Sequence, residues 1–358
     1  MNIKSYIIFI FAFSLMYKGF SVGLWQGYSP LCMVSNETTS FLKSDFIITN
    51  TQGIQEKAFS SGQLLDIFFW NSQIGWTCGY GGVYKTIDGG KTWEKMKGEG
   101  GWYHVQLTGP QEIWLLEGKH GMAWARLWHS TNDGINWEEI LPDKLQGFGD
   151  LYCRGPVRFV LCNDFPSYWS IDGGKTWNEK TFFGSLKVSI PGDVKESTGF
   201  VIYILGAKKP SFSPYLLKSS DCGITWNEIL LPPNLPNPHS LFFATSWKGW
   251  IGLAYGKILV TEDGGASWRL YQLPTQRAVK ALWFDQLGRG YAAVENGNYL
   301  KLAESLFKTD NGGKSWKIVL SGAKQISSLF GLSTVRIWGA GFCPGIPSTD
   351  LIFLSNTE

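Results

Sequence analysis

Thr86-Ile87-Asp88-Gly89-Gly90-Lys91-Thr92-Trp93 decides the fold, because it returns. It recurs as Ser170-Ile171-Asp172-Gly173-Gly174-Lys175-Thr176-Trp177, then over residues 219–226, 261–268 and 309–316, with a worn copy over 130–137. The shared pattern is S/T-x-D-x-G-x-T/S-W, with Asn132 and Asn311 at the Asp place. The pattern describes a hairpin turn. The side-chain oxygens of Asp88, Asn132, Asp172, Asp221, Asp263 and Asn311 are placed to accept turn amides that no strand ladder satisfies. Gly supplies backbone angles that a Cβ forbids. Trp93, Trp137, Trp177, Trp226, Trp268 and Trp316 open the following strand and are expected to wedge between neighbouring sheets, which makes these twelve residues structural.

The tryptophans are separated by 44, 40, 49, 42 and 48 residues, a mean of 44.6. That period suits four short strands and their turns, one blade of a β-propeller. Strand-like text precedes each turn: 64–70, 75–79 and 83–86 in the first repeat, 240–245, 249–253 and 258–261 in the fifth. These runs are short, broken by Gly, Asn and Asp, and show no useful helical period. From Asp45 to Glu358 there is room for about seven periods. The expectation is an all-β, seven-bladed β-propeller, six and eight blades being the neighbouring counts. Ile352-Phe353-Leu354 enters a last blade without reaching a turn, so residues 46–49 are the expected donor of its missing strand. The two chain ends would then close the ring and remove sheet edges.

Of the 358 residues, 18 are Trp, 14 Tyr, 23 Phe and 43 Gly, which fits many half-buried strands joined by tight turns. A net charge of +3 lacks the dense basic stripe of a nucleic-acid protein. Lys4 followed by an apolar run from Tyr6 to Met16 and small residues at 19, 21 and 23 reads as an export signal, too short to span a bilayer. The expected organisation is a signal peptide over 1–23, a lead segment over 24–44 and one propeller over 45–358. An exported monomer, periplasmic or extracellular and without a stable membrane span, follows. Six cysteines show no C-x-x-C pair. Cys153 and Cys162 flank a turn at 154–158, and either a disulfide between them or two buried thiols fits.

The octapeptide is that of the Asp-box, or bacterial neuraminidase repeat, shared by sialidases, sortilin-type receptors and several glycosidases. The phrases Asp66-Ile67-Phe68-Phe69-Trp70-Asn71-Ser72-Gln73-Ile74-Gly75-Trp76 and Gly79-Tyr80-Gly81-Gly82-Val83-Tyr84-Lys85-Thr86 resemble the photosystem II assembly and stability factor family. Ser246-Trp247-Lys248-Gly249-Trp250-Ile251-Gly252 repeats that phrasing. The resemblance spans roughly 60–340 and implies a seven-bladed propeller that binds proteins without catalysis. It also implies an arginine-rich surface patch, for which Arg154, Arg158 and Arg336 are few and scattered.

Sialidase chemistry needs an arginine in an R-I-P motif ahead of the first turn, yet no Arg precedes Arg126. A different carbohydrate-active propeller, hydrolase or lectin, stays open, with Asp164, Asp193 and Glu295 as its loop carboxylates. Histidines 104, 120, 129 and 239 lack metal-ligand spacing, and no cofactor is expected. The octapeptide turns should share a face with the loops joining first and second strands. The opposite face collects the more variable insertions, and binding residues concentrate on variable loops held by a rigid scaffold. Lys119, Trp124, Tyr168, Lys208, Lys209, Phe212 and Tyr299 are therefore the candidate binding residues, toward a protein partner or a glycan.

Overall fold

Runs of aromatic and β-branched residues, cut by Gly, Asn and Asp, become strands in every repeat. The computed structural model describes residues 48–49, 54–59, 63–118, 124–147, 149–191, 200–208, 210–295, 304–321, 325–342 and 350–355. They lie in the unit Thr38–Glu358. The expected signal peptide and lead segment fall outside the described residues, as does the donor's Phe46. No helix among the described residues is long and apolar enough to cross a membrane.

The first repeat gives strands Leu64–Phe69, Gly75–Gly79, Gly82–Thr86 and Glu94–Lys97, paired in sequence order as an antiparallel sheet. Five more four-stranded sheets follow, over 102–140, 150–181, 185–229, 238–272 and 279–321. We number these blades 1 to 6. Their first strands are innermost, each touching the next.

The expectation of seven blades is corrected here: six blades have the four-stranded construction. What closes the ring is a five-stranded sheet of different make, ordered Gln325–Ser333, Arg336–Phe342, Asp350–Ser355, Ile54–Phe59 and Ile48–Thr49. Its inner strand returns to contact that of blade 1. The strand donated to the C-terminal one is Ile54–Phe59, in register from Ile54 opposite Ser355 to Phe59 opposite Asp350. Residues 48–49 pair outside it, opposite Gln55 and Glu56. With its third and fourth strands drawn from opposite ends of the chain, this sheet has no hairpin in which an octapeptide turn could form.

The core sits between blades. Trp76 of blade 1 packs with Trp102 and Val105 of blade 2, and Trp137 closes over them. The same arrangement recurs around the ring. Trp177 meets Trp114 edge-on at 6.4 Å, Trp226 meets Phe159 at 6.2 Å, and Trp268 meets Phe243 at 6.4 Å. Each indole N–H of the six turns donates to the carbonyl of its own turn's second glycine position, as from Trp93 to Gly90 at 3.0 Å. Within the first turn, Asp88 accepts from the Thr92 amide at 2.8 Å and its hydroxyl at 2.6 Å, while Gly90 N donates to Thr86 Oγ1. Asn311 accepts the Ser315 amide and gives its own Nδ2–H to the Ser315 hydroxyl, a donor where the Asp turns have only acceptors. The left-handed backbone held by Gly89 at φ 77° is kept by Asp133 at 62° and Cys222 at 61°, where two repeats lack that glycine.

Cys153 and Cys162 are buried free thiols. Cys153 stands opposite Arg158, while Cys162 lies just beyond Leu161, itself opposite Asp150, so the two occupy opposite ends of one hairpin. Burial pushes both thiols up to about 12.

Candidate functional site

The seven inner strands line a shared axis, and six carry a register irregularity at the same place. It falls between Leu64 and Asp66, Trp102 and His104, Ser185 and Lys187, Pro238 and Ser240, Val279 and Ala281, and Ile326 and Ser328. A bulge of this kind re-aims the side chains beside it. Here it brings Asp66, His104, Lys187, Ser240, Lys280 and Ser328, with Asp150 of blade 3, around an axial cavity of about 180 Å³.

These polar groups latch sheet to sheet. Asp66 Oδ1 accepts the Ser328 hydroxyl at 2.6 Å and Oδ2 accepts the Val105 amide at 3.1 Å, joining the closing sheet, blade 1 and blade 2. His104 stands between two carboxylates, Nδ1 at 3.4 Å from Asp66 and Nε2 at 3.6 Å from Asp150. Asp150 accepts the Val188 amide at 3.0 Å and pairs with Lys187 at 3.4 Å. Ser189 accepts the Phe243 amide, and Ser240 donates to the Val279 carbonyl. On the far side Lys280 lies 3.3 Å from His239 Nδ1 and 3.6 Å from Glu295. Burial, helped by the Lys280 charge, drops His239 to about 4.

One end of the axis opens into a wider cavity of about 570 Å³. Its walls are Tyr152, Arg154 and Phe242 of the inner strands and Ile190 just past one, with the hairpin loop 285–289 and the end of the strand Gln325–Ser333 with Thr334 forming the lip. Leu287 (71% exposed) and Leu332 (44%) stand on that lip. Asp285 accepts from Arg289 Nε at 2.8 Å and fixes the shape of its loop. The Tyr152 hydroxyl donates to Ile190 O, and burial raises its pKa despite the nearby Arg154 charge.

This mouth lies on the octapeptide face, because those turns bond the same hairpin loops. Gly89 N donates to Gln73 O, Gly264 N to Trp247 O and Gly312 N to Gly288 O, each near 2.9 Å. Exposed large apolar side chains crowd this face: Trp70, Trp247 (64%) and Val335 in the hairpin loops, and Ile87, Ile135, Ile171 and Ile224 in the octapeptide turns.

Of the seven residues read as a binding face from the sequence, the four described ones do not converge. Lys119, Lys209 and Tyr299 fall outside the described residues, as does Asp193. Tyr168 sits inside the blade 3 strand Pro166–Ser170, 6% exposed and packed in the core. Trp124 is half-buried under the Arg126 guanidinium, 5.4 Å from the ring centre. Among the described ones, Lys208 ends the strand Ile202–Lys208 and Phe212 lies in the hairpin turn that follows it. Lys208 pairs with Glu228 at 2.6 Å, and Phe212 is half-exposed with φ 54°. The axial residues escaped sequence reading, although one signal was present: Asp66, His104, Lys187, Ser240 and Ser328 are polar side chains at one matching place in five of the apolar inner strands, Ala281 holding it in blade 6.

No family model matches the chain, and no curated protein matches it. Solved structures do. The chain is similar to YCF48 bound to D1 peptide, with 17% identity, 88% of this chain and 100% of that one covered, and a TM-score of 0.66. It is similar to YCF48 from Cyanidioschyzon merolae at 18% identity, 83% and 98% coverage and a TM-score of 0.62. The GH74 xyloglucanase from Xanthomonas campestris aligns at 15% identity over 83% of this chain, with a TM-score of 0.60. This chain spans 55% of that enzyme. At such identities the likeness is one of fold, a β-propeller.

Proposed function

We propose that this chain is an exported, non-catalytic propeller scaffold that binds a protein partner across its octapeptide face, in the manner of an assembly factor. One observation carries the reading: a cavity of about 570 Å³ at the axial mouth, whose lip holds Leu287 and Leu332 out in water. Apolar side chains grouped on one face mark interaction surfaces, and the Leu287 loop, pinned by the bond from Gly312 N to Gly288 O, loses little entropy on docking. A propeller of similar fold has been solved with a peptide bound. Export rests on Lys4 and the apolar run behind it.

Two local bonds weigh against a hydrolase. The loop carboxylate Asp164 accepts the Gly184 amide at 2.7 Å, and Glu295 faces Lys280. Both are engaged in holding the scaffold.

The test places a photo-crosslinking residue at 287, 332 or 212 in the full chain, expressed in its native envelope. Discrete protein adducts from 287 and 332, with none from 212, are expected. A fluorogenic glycoside panel runs alongside. Glycoside turnover that disappears in Asp164→Asn or Glu295→Gln would overturn the reading, as would adducts from 212 alone.

A further inference from the structure

Between blades 1 and 2 a single ammonium is surrounded by indoles. Lys97, the last residue of the outer strand Glu94–Lys97, places Nζ 5.1 Å from the ring centre of Trp102, 4.8 Å from that of Trp128 and 4.9 Å from that of Trp137. Cation–π attraction acts within about 6 Å of a ring centre and is strongest for Trp. The three rings come from separate parts of blade 2: its inner strand, its third strand and its octapeptide turn.

Each indole is fixed by a bond of its own. Trp102 Nε1 donates to Gly98 O at 3.0 Å, Trp128 Nε1 to Glu117 Oε2 at 2.8 Å, and Trp137 Nε1 to Gly134 O at 2.9 Å. The ring N–H groups are therefore spent elsewhere, and the faces are left to the cation. The contacts of Lys97 Nζ are these three ring faces, with the Glu117 carboxylate acting on it as a charge. A primary ammonium carries three N–H donors, which π faces satisfy poorly. A methylated ammonium carries fewer or none and forfeits less hydration on entering such a cage. The chemistry of the cage thus suits a different cation better than the one inside it.

We propose that Trp102, Trp128 and Trp137 form a binding site for quaternary or methylated ammonium groups, with Lys97 as its resident competitor. Lys97 is half-buried at the end of an outer strand, so its side chain can swing out while the backbone ladder stays paired. Burial lowers its pKa, which weakens its own hold on the site, and the Glu117 charge opposes that shift. Glu117 also sets specificity. A ligand with net positive charge, such as choline or a trimethyl-lysine side chain, gains from it, whereas the carboxylate of glycine betaine is repelled. The site shares no residue with the axial mouth.

The test is isothermal titration of the full chain with choline, a trimethyl-lysine peptide, its unmethylated counterpart and glycine betaine. Removing the competitor in Lys97→Ala should tighten choline binding about tenfold, as for a site vacant a tenth of the time. Trp128→Leu should abolish binding, and Glu117→Gln should narrow the gap between choline and betaine. A higher affinity for the methylated peptide than for choline would identify the source as a modified protein, and the reverse a free small molecule. The proposal is overturned if Lys97→Ala binds choline no better than Trp128→Leu does, or if the unmethylated peptide binds as well as the methylated one. Lys97→Ser, checked by thermal melting, serves as a second vacated cage.

Discussion

Asp66→Ala tests whether the axial latches hold the ring. The carboxylate joins three sheets through the Val105 amide at 3.1 Å and the Ser328 hydroxyl at 2.6 Å, and it faces His104 at 3.4 Å. Removing it strands the Val105 N–H at a buried junction, a cost of about 1–3 kcal/mol. The charge-assisted bond from Ser328 is lost as well, about 1.5–3 kcal/mol, part of which returns when the hydroxyl turns to water. The expected total is about 3–5 kcal/mol, large against an ordinary folding stability of about 5–15 kcal/mol. Urea unfolding followed by tryptophan fluorescence reads it directly, because the box indoles lie at the blade junctions that open. Ser328→Ala should cost about 0.5–1.5 kcal/mol, and the double variant should show coupling, since both partners share one bond. A loss below about 1 kcal/mol for Asp66→Ala, with the slope unchanged, would refute the idea that Asp66 fastens the closing sheet to blades 1 and 2.

Further outcomes follow from the same geometry. Leu287→Asp with Leu332→Asp should remove partner adducts at the axial mouth while leaving the melting temperature unchanged, as measured by crosslinking and calorimetry. His239, lowered to about 4 in the fold, resists the proton that the unfolded chain takes up near its ordinary value. Stability should therefore fall as pH drops from about 6.5 to about 4, and His239→Asn should flatten that slope in urea titrations at stepped pH. Cys153 and Cys162, pushed up to about 12, stay as thiols at pH 8, so a disulfide reagent should label them only after denaturation. Cys222→Gly removes a side chain from a residue at φ 61° but also the sulfur that accepts the Phe200 amide. Its melting temperature should move less than that of Gly90→Ala, where a Cβ is forced into φ 95° with no relief.

The repeat made the propeller legible from the chain alone. A turn that must satisfy its own amides needs the same residues each time it is built, so Asp88, Gly90 and Trp93 announce each hairpin wherever it falls. Local chemistry of that kind is written in contiguous text. Closure was not legible in the same way: residues 54–59 rather than 46–49 meet the C-terminal strand, because register between distant ends is chosen by whole-strand pairing. Blade number followed from closure, since a sheet assembled from both chain ends need not copy the others. Which of the candidate side chains stand exposed was likewise not legible. Exposure depends on what packs beside a loop, so Tyr168 vanished into the core while Leu287 and Leu332 came out at the mouth. The axial latches and the tryptophan cage around Lys97 join residues that share no local motif. Sequence determined the repeating unit, because a turn's hydrogen bonds are satisfied within eight residues; only the tertiary structure decided the axis, the closure and the faces, because those arise where separate blades touch.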